Sequence, residues 1–285
     1  MISDYRYQPF VYFSIVFLVT FALWSGGAFL SFQEQYHGLH MGLMLPGLMA
    51  PFVIALGMII HSKNQDLRKD FINRLTNLGL IRLKYLPLFL LIMPFSVLLS
   101  ILLSIPFGGS FSQFQWAEGF SFTSGFVPVL LLLLLAAVFE ELGWRGYAFD
   151  SLQSRFSYFT ASLIFSFLWS MWHLPLIFVK DSYQYEIIHA NIWFGVNFFI
   201  GIIPMGMIIS WICAKNGKSI LAAIVFHLII NMSQEMLDIT QTTKCIETLV
   251  LSSVAAGLIV WDRKMFFSET HLREREVSGN AQPLF

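Results

Sequence analysis

Two adjacent carboxylates, Glu140 and Glu141, end a run of apolar residues, and Arg145 follows shortly after them. Glu141 and Arg145 are spaced i and i+4, so a helix places them on one face, where they can form an ion pair. Glu140 lies about 100° around the helix and is expected to have no partner in its own helix. The pattern indicates one locally paired carboxylate beside one that is free for acid–base chemistry. The alternative is an ordinary helix end at the water interface.

A histidine, His173, follows in a second apolar segment, after Trp169 and Trp172 and before Pro175. On its own, such a histidine fits a packed, hydrogen-bonded core residue as well as it fits a catalytic one. Proline interrupts helical hydrogen bonding, so we expect a nearby backbone carbonyl to be free to orient the imidazole ring.

A third segment carries His227 and Asn231, which are spaced i and i+4 and therefore face the same way. Polar groups on one stripe of an apolar helix can simply join helices in a membrane. If the three segments converge, however, they bring together Glu140 and His173, a pair suited to activating water. His227 and Asn231 would then be a pair of donors for a developing oxyanion.

The elements that must position these residues are transmembrane helices. The 285 residues are 56% hydrophobic and 12% charged, about half the charged fraction of a soluble domain. A helix needs about 20 apolar residues to cross the hydrocarbon core. On that basis the sequence predicts an all-α, polytopic membrane protein with about eight spans, near 9–31, 42–61, 86–107, 124–148, 159–179, 190–213, 219–237 and 246–261.

The distribution of positive residues predicts the orientation of these spans. The 62–85 loop holds six Lys and Arg residues, namely Lys63, Arg68, Lys69, Arg74, Arg82 and Lys84. With this loop in the cytoplasm, all of the 17 Lys and Arg residues except Lys180 and Lys244 fall on the cytoplasmic side. Both termini are then cytoplasmic, as an even number of spans requires.

The remaining composition narrows the function classes. Formal net charge is zero, so no basic field favours nucleic acid as a partner. Cys213 and Cys245 form no metal-binding or disulfide pattern. We expect a single transmembrane domain over residues 1–264 and a polar tail, 265–285, which is either native or partly a cloning scar.

The three motifs, taken in order, resemble those of the type II CAAX prenyl endopeptidases, the Ras-converting enzymes. These belong to the wider group of CAAX proteases and bacteriocin-processing proteins. The family pattern is Glu-Glu-x-x-x-Arg, an aromatic four residues before a His, and His-x-x-x-Asn. Here they are Glu140, Glu141 and Arg145, then Trp169 and His173, then His227 and Asn231. The resemblance covers about residues 120–240, and it departs at Trp169, where the family more often has Phe.

The resemblance implies proteolysis of a prenylated protein after its modified cysteine, with release of the last three residues. A prenylated CAAX substrate would arrive through the membrane plane, and its peptide would reach the site from the cytoplasmic face. The protein would be an integral multi-pass protein of the cell membrane in a prokaryote or of the endoplasmic reticulum in a eukaryote. Glu141, Arg145 and Trp169 would support the site.

Two mechanisms remain open for such an enzyme. In the favoured one no cofactor is needed: Glu140 and His173 activate water while His227 and Asn231 stabilise the oxyanion. In the other, Glu140, His173 and His227 bind zinc with a water in the open position. A protease with another substrate, a proton-coupled carrier and a non-catalytic scaffold are further alternatives, although no inverted repeats typical of carriers are visible.

The depths predicted for these residues do not match. By the rise per residue, Glu140 and His227 lie about 12 Å from the cytoplasmic ends of their spans, whereas His173 lies about 20 Å from the end of its own. Either the span that carries His173 begins outside the hydrocarbon, or it is tilted.

Overall fold

The computed structural model describes residues 5–36, 38–117 and 129–267. These residues form twelve α-helices: α1 Pro9–Ser31, α2 Met41–His61, α3 Gln65–Thr76, α4 Leu86–Ser104, α5 Val129–Gly143, α6 Phe149–Gln153, α7 Tyr158–Trp172, α8 Tyr183–Ala190, α9 Ile192–Lys215, α10 Ile220–Glu235, α11 Gln241–Trp261 and α12 Arg263–Phe267. A π-helical turn, Trp144–Ala148, joins α5 to α6, and a 3₁₀ turn, Leu174–Phe178, follows α7. The prediction of an all-α protein is confirmed.

Six segments of the described chain are long and apolar enough to cross a membrane: Pro9–Ser31, Met41–His61, Leu83–Phe107, Tyr158–Phe178, Ile192–Lys215 and Gln241–Trp261. The other two predicted spans correspond to α5 together with the π turn, which ends at Ala148 before α6 begins, and to the shorter apolar helix α10. The multi-span prediction is therefore confirmed. Residues 124–128 of the fourth predicted span and residues 268–285 of the predicted tail lie outside the described residues.

The long helices pack in a ring. Contacts run from α1 to α2, then to α5, α10, α4, α11, α9 and α7, and the 3₁₀ turn after α7 returns to α1. Side chains on α5 and α7, which are not neighbours in this order, meet across the ring. Several helices begin at a side chain that caps their first amide groups, as Ser157, Ser219 and Thr240 do for α7, α10 and α11.

A hydrogen-bonded chain joins α7 to α1 and α2. Pro51 has no N–H for the carbonyl of Gly47, one turn before it on α2, and Thr20 on α1 donates to that carbonyl at 3.1 Å. The indole of Trp172 on α7 donates in turn to Thr20 Oγ1 at 3.0 Å. Because these groups lie in the apolar interior, the bonds fix the end of α7 that carries His173.

The 62–85 loop contains a helix, α3, that the hydropathy pattern did not predict. Arg74, a buried residue of α3, pairs with Asp70 at 2.8 Å and with Asp150 on α6 at 2.9 Å. Lys218, just before α10, reaches the other oxygen of Asp150 at 3.1 Å. Burial opposes ionisation here, but the charges of Arg74 and Lys218 outweigh it and hold the pKa of the Asp150 carboxyl below its ordinary value.

We call Asp70, Arg74, Asp150 and Lys218 the Asp150 cluster. The guanidinium of Arg74 also donates to the backbone carbonyls of Arg145 and Gly146, at 3.2 and 3.3 Å. Both carbonyls belong to the π turn, where the regular pairing of helical carbonyls is disturbed. The cluster therefore joins α3, the π turn and α6 at one end of the bundle.

Candidate active site

Glu140 lies inside the ring and is only 5% exposed. The indole of Trp169 on α7 donates to Glu140 Oε2 at 2.7 Å, and the indole of Trp144 donates to the same oxygen at 3.3 Å. Trp144 is four residues after Glu140 on the same continuous helix, so the expectation that Glu140 has no partner in its own helix is wrong. Both partners are neutral, and neither can accept a proton from the carboxylate.

Glu141 is fully buried and has two cationic or ionisable partners. Its Oε2 lies 3.0 Å from Arg145 Nε, which confirms the predicted i to i+4 ion pair. Its Oε1 accepts a hydrogen bond at 2.9 Å from Nδ1 of His227 on α10, a contact between helices that the sequence did not reveal. Glu141 thus joins the site to α10 in addition to balancing Arg145, whose guanidinium also lies over the Phe165 ring at 4.2 Å.

His173 follows the last residue of α7, where a helix leaves its final carbonyls without amide partners. Its Nδ1 lies 2.8 Å from the backbone oxygen of Trp169. A carbonyl only accepts, so Nδ1 carries the proton and Nε2 keeps its lone pair. The expectation that a backbone carbonyl orients the ring is confirmed, but the carbonyl belongs to Trp169, six residues before Pro175. Edge-on contacts with Trp172 and Phe198 hold the ring from the sides.

His227 and Asn231 both turn towards α5, as their spacing predicts. His227 bonds Glu141, and Asn231 Nδ2 donates to the backbone oxygen of Leu133 at 3.4 Å. The ring of Trp169 lies between the two histidines, 6.1 Å from the His173 ring and 5.3 Å from the His227 ring. Glu140, His173 and His227 are therefore gathered around one tryptophan, and the predicted convergence of three helices is confirmed.

The structure changes one of the helix lengths behind the predicted depths. The helix that carries Glu140 ends at Gln153 rather than at residue 148, so Glu140 lies about 20 Å from that end, close to the value for His173. The helix of His227 begins at Ile220, within one residue of the predicted start, and its N-cap Ser219 is fully buried in the protein, where its hydroxyl bonds the Arg74 carbonyl of α3. Span lengths alone could not show that α3 covers this end of α10.

Two features of the site escaped the sequence. Trp144 could have been found, since its spacing from Glu140 equals that of the predicted ion pair. The π turn has no comparable signal, although such turns occur often at functional sites. Among the described residues, no group of three or more His, Cys, Asp or Glu side chains has the arrangement of a metal site. Glu140, His173 and His227 nevertheless remain the ligands that the zinc alternative would require.

A ring of apolar helices that buries two carboxylates and His227, and that half-buries a second histidine and an asparagine beside them, defines a multi-pass membrane enzyme. A family model for the type II CAAX prenyl endopeptidase Rce1-like proteins matches residues 122–233, the segment that contains every site residue above. CAAX prenyl protease 2 of Methanococcus maripaludis is 63% identical over 269 residues, which cover 94% of this chain and 99% of that protein.

A more distant relative is lysostaphin resistance protein A of Staphylococcus haemolyticus. It is 25% identical over 219 residues, which cover 74% of this chain and 54% of that protein. The chain belongs to the type II CAAX prenyl endopeptidase family, and it is an integral membrane peptidase.

Proposed function

We propose that this enzyme cleaves prenylated CAAX proteins after the modified cysteine and releases the last three residues. The single observation that carries the proposal is the gathering of Glu140, His173 and His227 around Trp169, inside a ring of apolar helices. Family membership and the name of the methanococcal relative, a CAAX prenyl protease, support the same substrate class.

In the proposed mechanism, Glu140 and His173 together take a proton from water. The resulting hydroxide attacks the carbonyl carbon of the scissile bond, and the carbonyl oxygen becomes an oxyanion. When the tetrahedral intermediate collapses, the C–N bond breaks and the proton passes to the leaving amine. His173 suits this role because its Nδ1–H is engaged with the Trp169 carbonyl, which leaves Nε2 as the basic atom.

The oxyanion is proposed to accept hydrogen bonds from His227 and Asn231. Nδ1 of His227 already donates to Glu141, so only a protonated imidazole has an N–H left on Nε2 for the oxyanion. The carboxylate of Glu141, 2.9 Å away, would be the counter-charge of such an imidazolium. Donors of this kind act mainly on the transition state, where the negative charge develops.

The zinc mechanism makes opposite demands on the same residues, since metal binding would need His227 Nε2 without a proton. If zinc is required, chelator inactivates the wild type, added zinc restores it, and His227→Ala loses stoichiometric metal. In the metal-free mechanism His227→Ala lowers turnover without changing metal content. Elemental analysis of purified, active protein distinguishes the two mechanisms.

The direct test of function is incubation of the purified protein with a farnesylated CAAX peptide, with and without chelator, followed by mass analysis. The expected product is the peptide shortened by three residues, in both conditions. An unfarnesylated copy of the peptide is the matched control. Equal cleavage of both peptides, or cleavage of neither, would contradict a CAAX prenyl substrate.

The orientation is part of the proposal: both termini and the 62–85 loop in the cytoplasm, with the site reached by the peptide from that face. A cysteine that replaces the exposed Lys69 of α3 should react with an impermeant thiol reagent only from the cytoplasmic side. Labelling from the outer face would reverse the orientation.

A further inference from the structure

The two oxygens of Glu140 have different surroundings. Both of its hydrogen bonds to described residues, from Trp169 at 2.7 Å and from Trp144 at 3.3 Å, reach Oε2. The two oxygens of Glu141, in contrast, each face a different partner, Arg145 or His227. The carboxylate of Glu140 is thus held by one oxygen, while that of Glu141 is held by both.

The two indoles are themselves immobilised. Trp144 is fully buried and packs against Phe13 and, edge-on, against Phe165. Trp169 is 4% exposed and stacks on the same Phe165 ring. Rings in such packing cannot follow a rotating carboxylate, so their N–H groups fix the direction of Glu140 Oε2.

The chemistry of indole then distinguishes the two oxygens. An indole N–H is a donor only, so it stabilises a negatively charged oxygen and cannot take a proton from it. A proton on Oε2 would be repelled by the two indole N–H groups that already donate to this atom. Oε1 meets no such donor among the described residues.

We propose that Trp144 and Trp169 are positioning residues that hold Glu140 Oε2, so that Oε1 is the atom that accepts the proton of the attacking water. The proposal rests on the proposed function, because it requires Glu140 to be the base. It assigns to Trp169 a polar role in addition to the shape of the pocket wall. It also adds Trp144, which stands at a variable position of the first motif.

The test is the pH dependence of kcat in Trp169→Phe, Trp144→Phe and the double variant, measured on the full-length protein with a farnesylated CAAX peptide. Phe keeps an aromatic ring and removes only the donor and part of the ring area. Loss of a hydrogen bond to a charged group costs about 1.5–3 kcal/mol. The acidic limb of the kcat–pH profile, where kcat falls as the base is protonated, should therefore move to higher pH by about one to two units. Trp169, with the shorter bond, should give the larger shift and the double variant the largest.

Trp211→Phe is the matched control. Trp211 is a buried tryptophan on α9 whose indole also donates to a carboxylate, Asp262 Oδ2 at 2.9 Å. Within the described part of the chain, its indole makes no hydrogen bond to a residue of the site. Its replacement should leave the acidic limb in place. A general loss of packing would lower the stability of all these variants. It would not move the acidic limb of the kcat–pH profile when kcat is calculated per folded molecule.

An unmoved acidic limb in folded Trp169→Phe, or an equal movement in Trp211→Phe, would overturn the proposal. If Trp169→Phe does not fold, Trp144→Phe decides by the same criterion. Glu140→Gln separates this outcome from a failure of the proposed function. If Glu140→Gln keeps its turnover, Glu140 is not the base. If it is inactive while the tryptophan variants are unshifted, only the positioning role fails.

Discussion

The Asp150 cluster and the surroundings of Glu140 handle a buried carboxylate in different ways. Asp150 is held by two cations, Arg74 and Lys218, one on each oxygen. Glu140, equally buried, receives two neutral indole donors on a single oxygen. A carboxylate with a cation on each oxygen serves the stability of the fold, because protonating it would leave those buried cations without a counter-charge. A carboxylate that has only neutral donors can gain a proton at a smaller cost, which is what a general base requires.

Glu141 stands between these two cases. It is paired with Arg145, as Asp150 is paired with Arg74, but it also bonds His227, a side chain of the site. Adjacent positions in the sequence thus carry two functions: Glu140 is the base in our mechanism, and Glu141 supports the oxyanion donor and the fold. The following predictions test that division.

Outside the paired carboxylates, the largest effect is expected at His173. His173→Ala removes the second member of the water-activating pair, so turnover should fall by about 10²–10⁴-fold, the usual range for acid–base groups. His189→Ala on α8 is the matched control, because its ring makes the same bond, Nδ1 to the carbonyl four residues earlier at 2.8 Å, on an exposed surface. Equal activity of the two variants would remove His173 from the mechanism.

The next largest loss of turnover is expected for the replacement of Asn231. If its amide donates to the oxyanion, Asn231→Ala lowers kcat by about 10²–10³-fold and leaves KM nearly unchanged, as loss of one such donor typically does. Steady-state kinetics with a farnesylated peptide separates the two constants. A raised KM with unchanged kcat would mean that Asn231 serves substrate binding alone.

Glu141→Ala should act chiefly on stability. It leaves Arg145 as an uncompensated buried charge, which typically costs about 3–5 kcal/mol. We therefore expect lower expression and a lower unfolding temperature in detergent, measured against Glu186→Ala, which removes an exposed carboxylate. Wild-type stability in Glu141→Ala would show that Arg145 does not depend on this pair.

The smallest effect on catalysis is expected in the Asp150 cluster, where the readout is stability against pH. The pKa of Asp150 is lowered in the folded protein, so its contribution is present above the unfolded pKa of about 3.9 and is lost as pH falls through the folded pKa. Below about pH 4 the wild type should therefore lose stability more steeply than Asp150→Asn. Parallel curves would mean that Asp150 is not held ionised by its neighbours. Turnover per folded molecule should differ little between the two proteins.

The helices could be predicted from the sequence because a membrane span needs a long apolar run, which α1, α2, α4, α9 and α11 display directly. Two predicted pairs also depend only on spacing within one helix. Glu141 pairs with Arg145, and His227 and Asn231 lie on the same face of α10, both as predicted. These features depend on one helix at a time.

The features that the sequence did not reveal depend on packing between helices. The amphipathic α3 lacks an apolar run, and the sequence gives no sign that it covers the start of α10 or that Arg74 caps the π turn. The bond from His227 to Glu141 joins residues of different helices that the ring brings together. The sequence predicts only an aromatic pocket wall at Trp169, and the hydrogen bond from its indole to Glu140 depends on the packing of α7 against α5.

The division of labour between the paired carboxylates is tested most directly by single-turnover cleavage of a farnesylated CAAX peptide by Glu140→Gln and Glu141→Gln, side by side at equal folded concentration. Both variants keep the side-chain shape and remove the charge. We predict no product above background for Glu140→Gln. We predict a slower but measurable reaction for Glu141→Gln, reduced about 10–100-fold by the weaker bond to His227. Turnover by Glu140→Gln together with an inactive, folded Glu141→Gln would contradict the account.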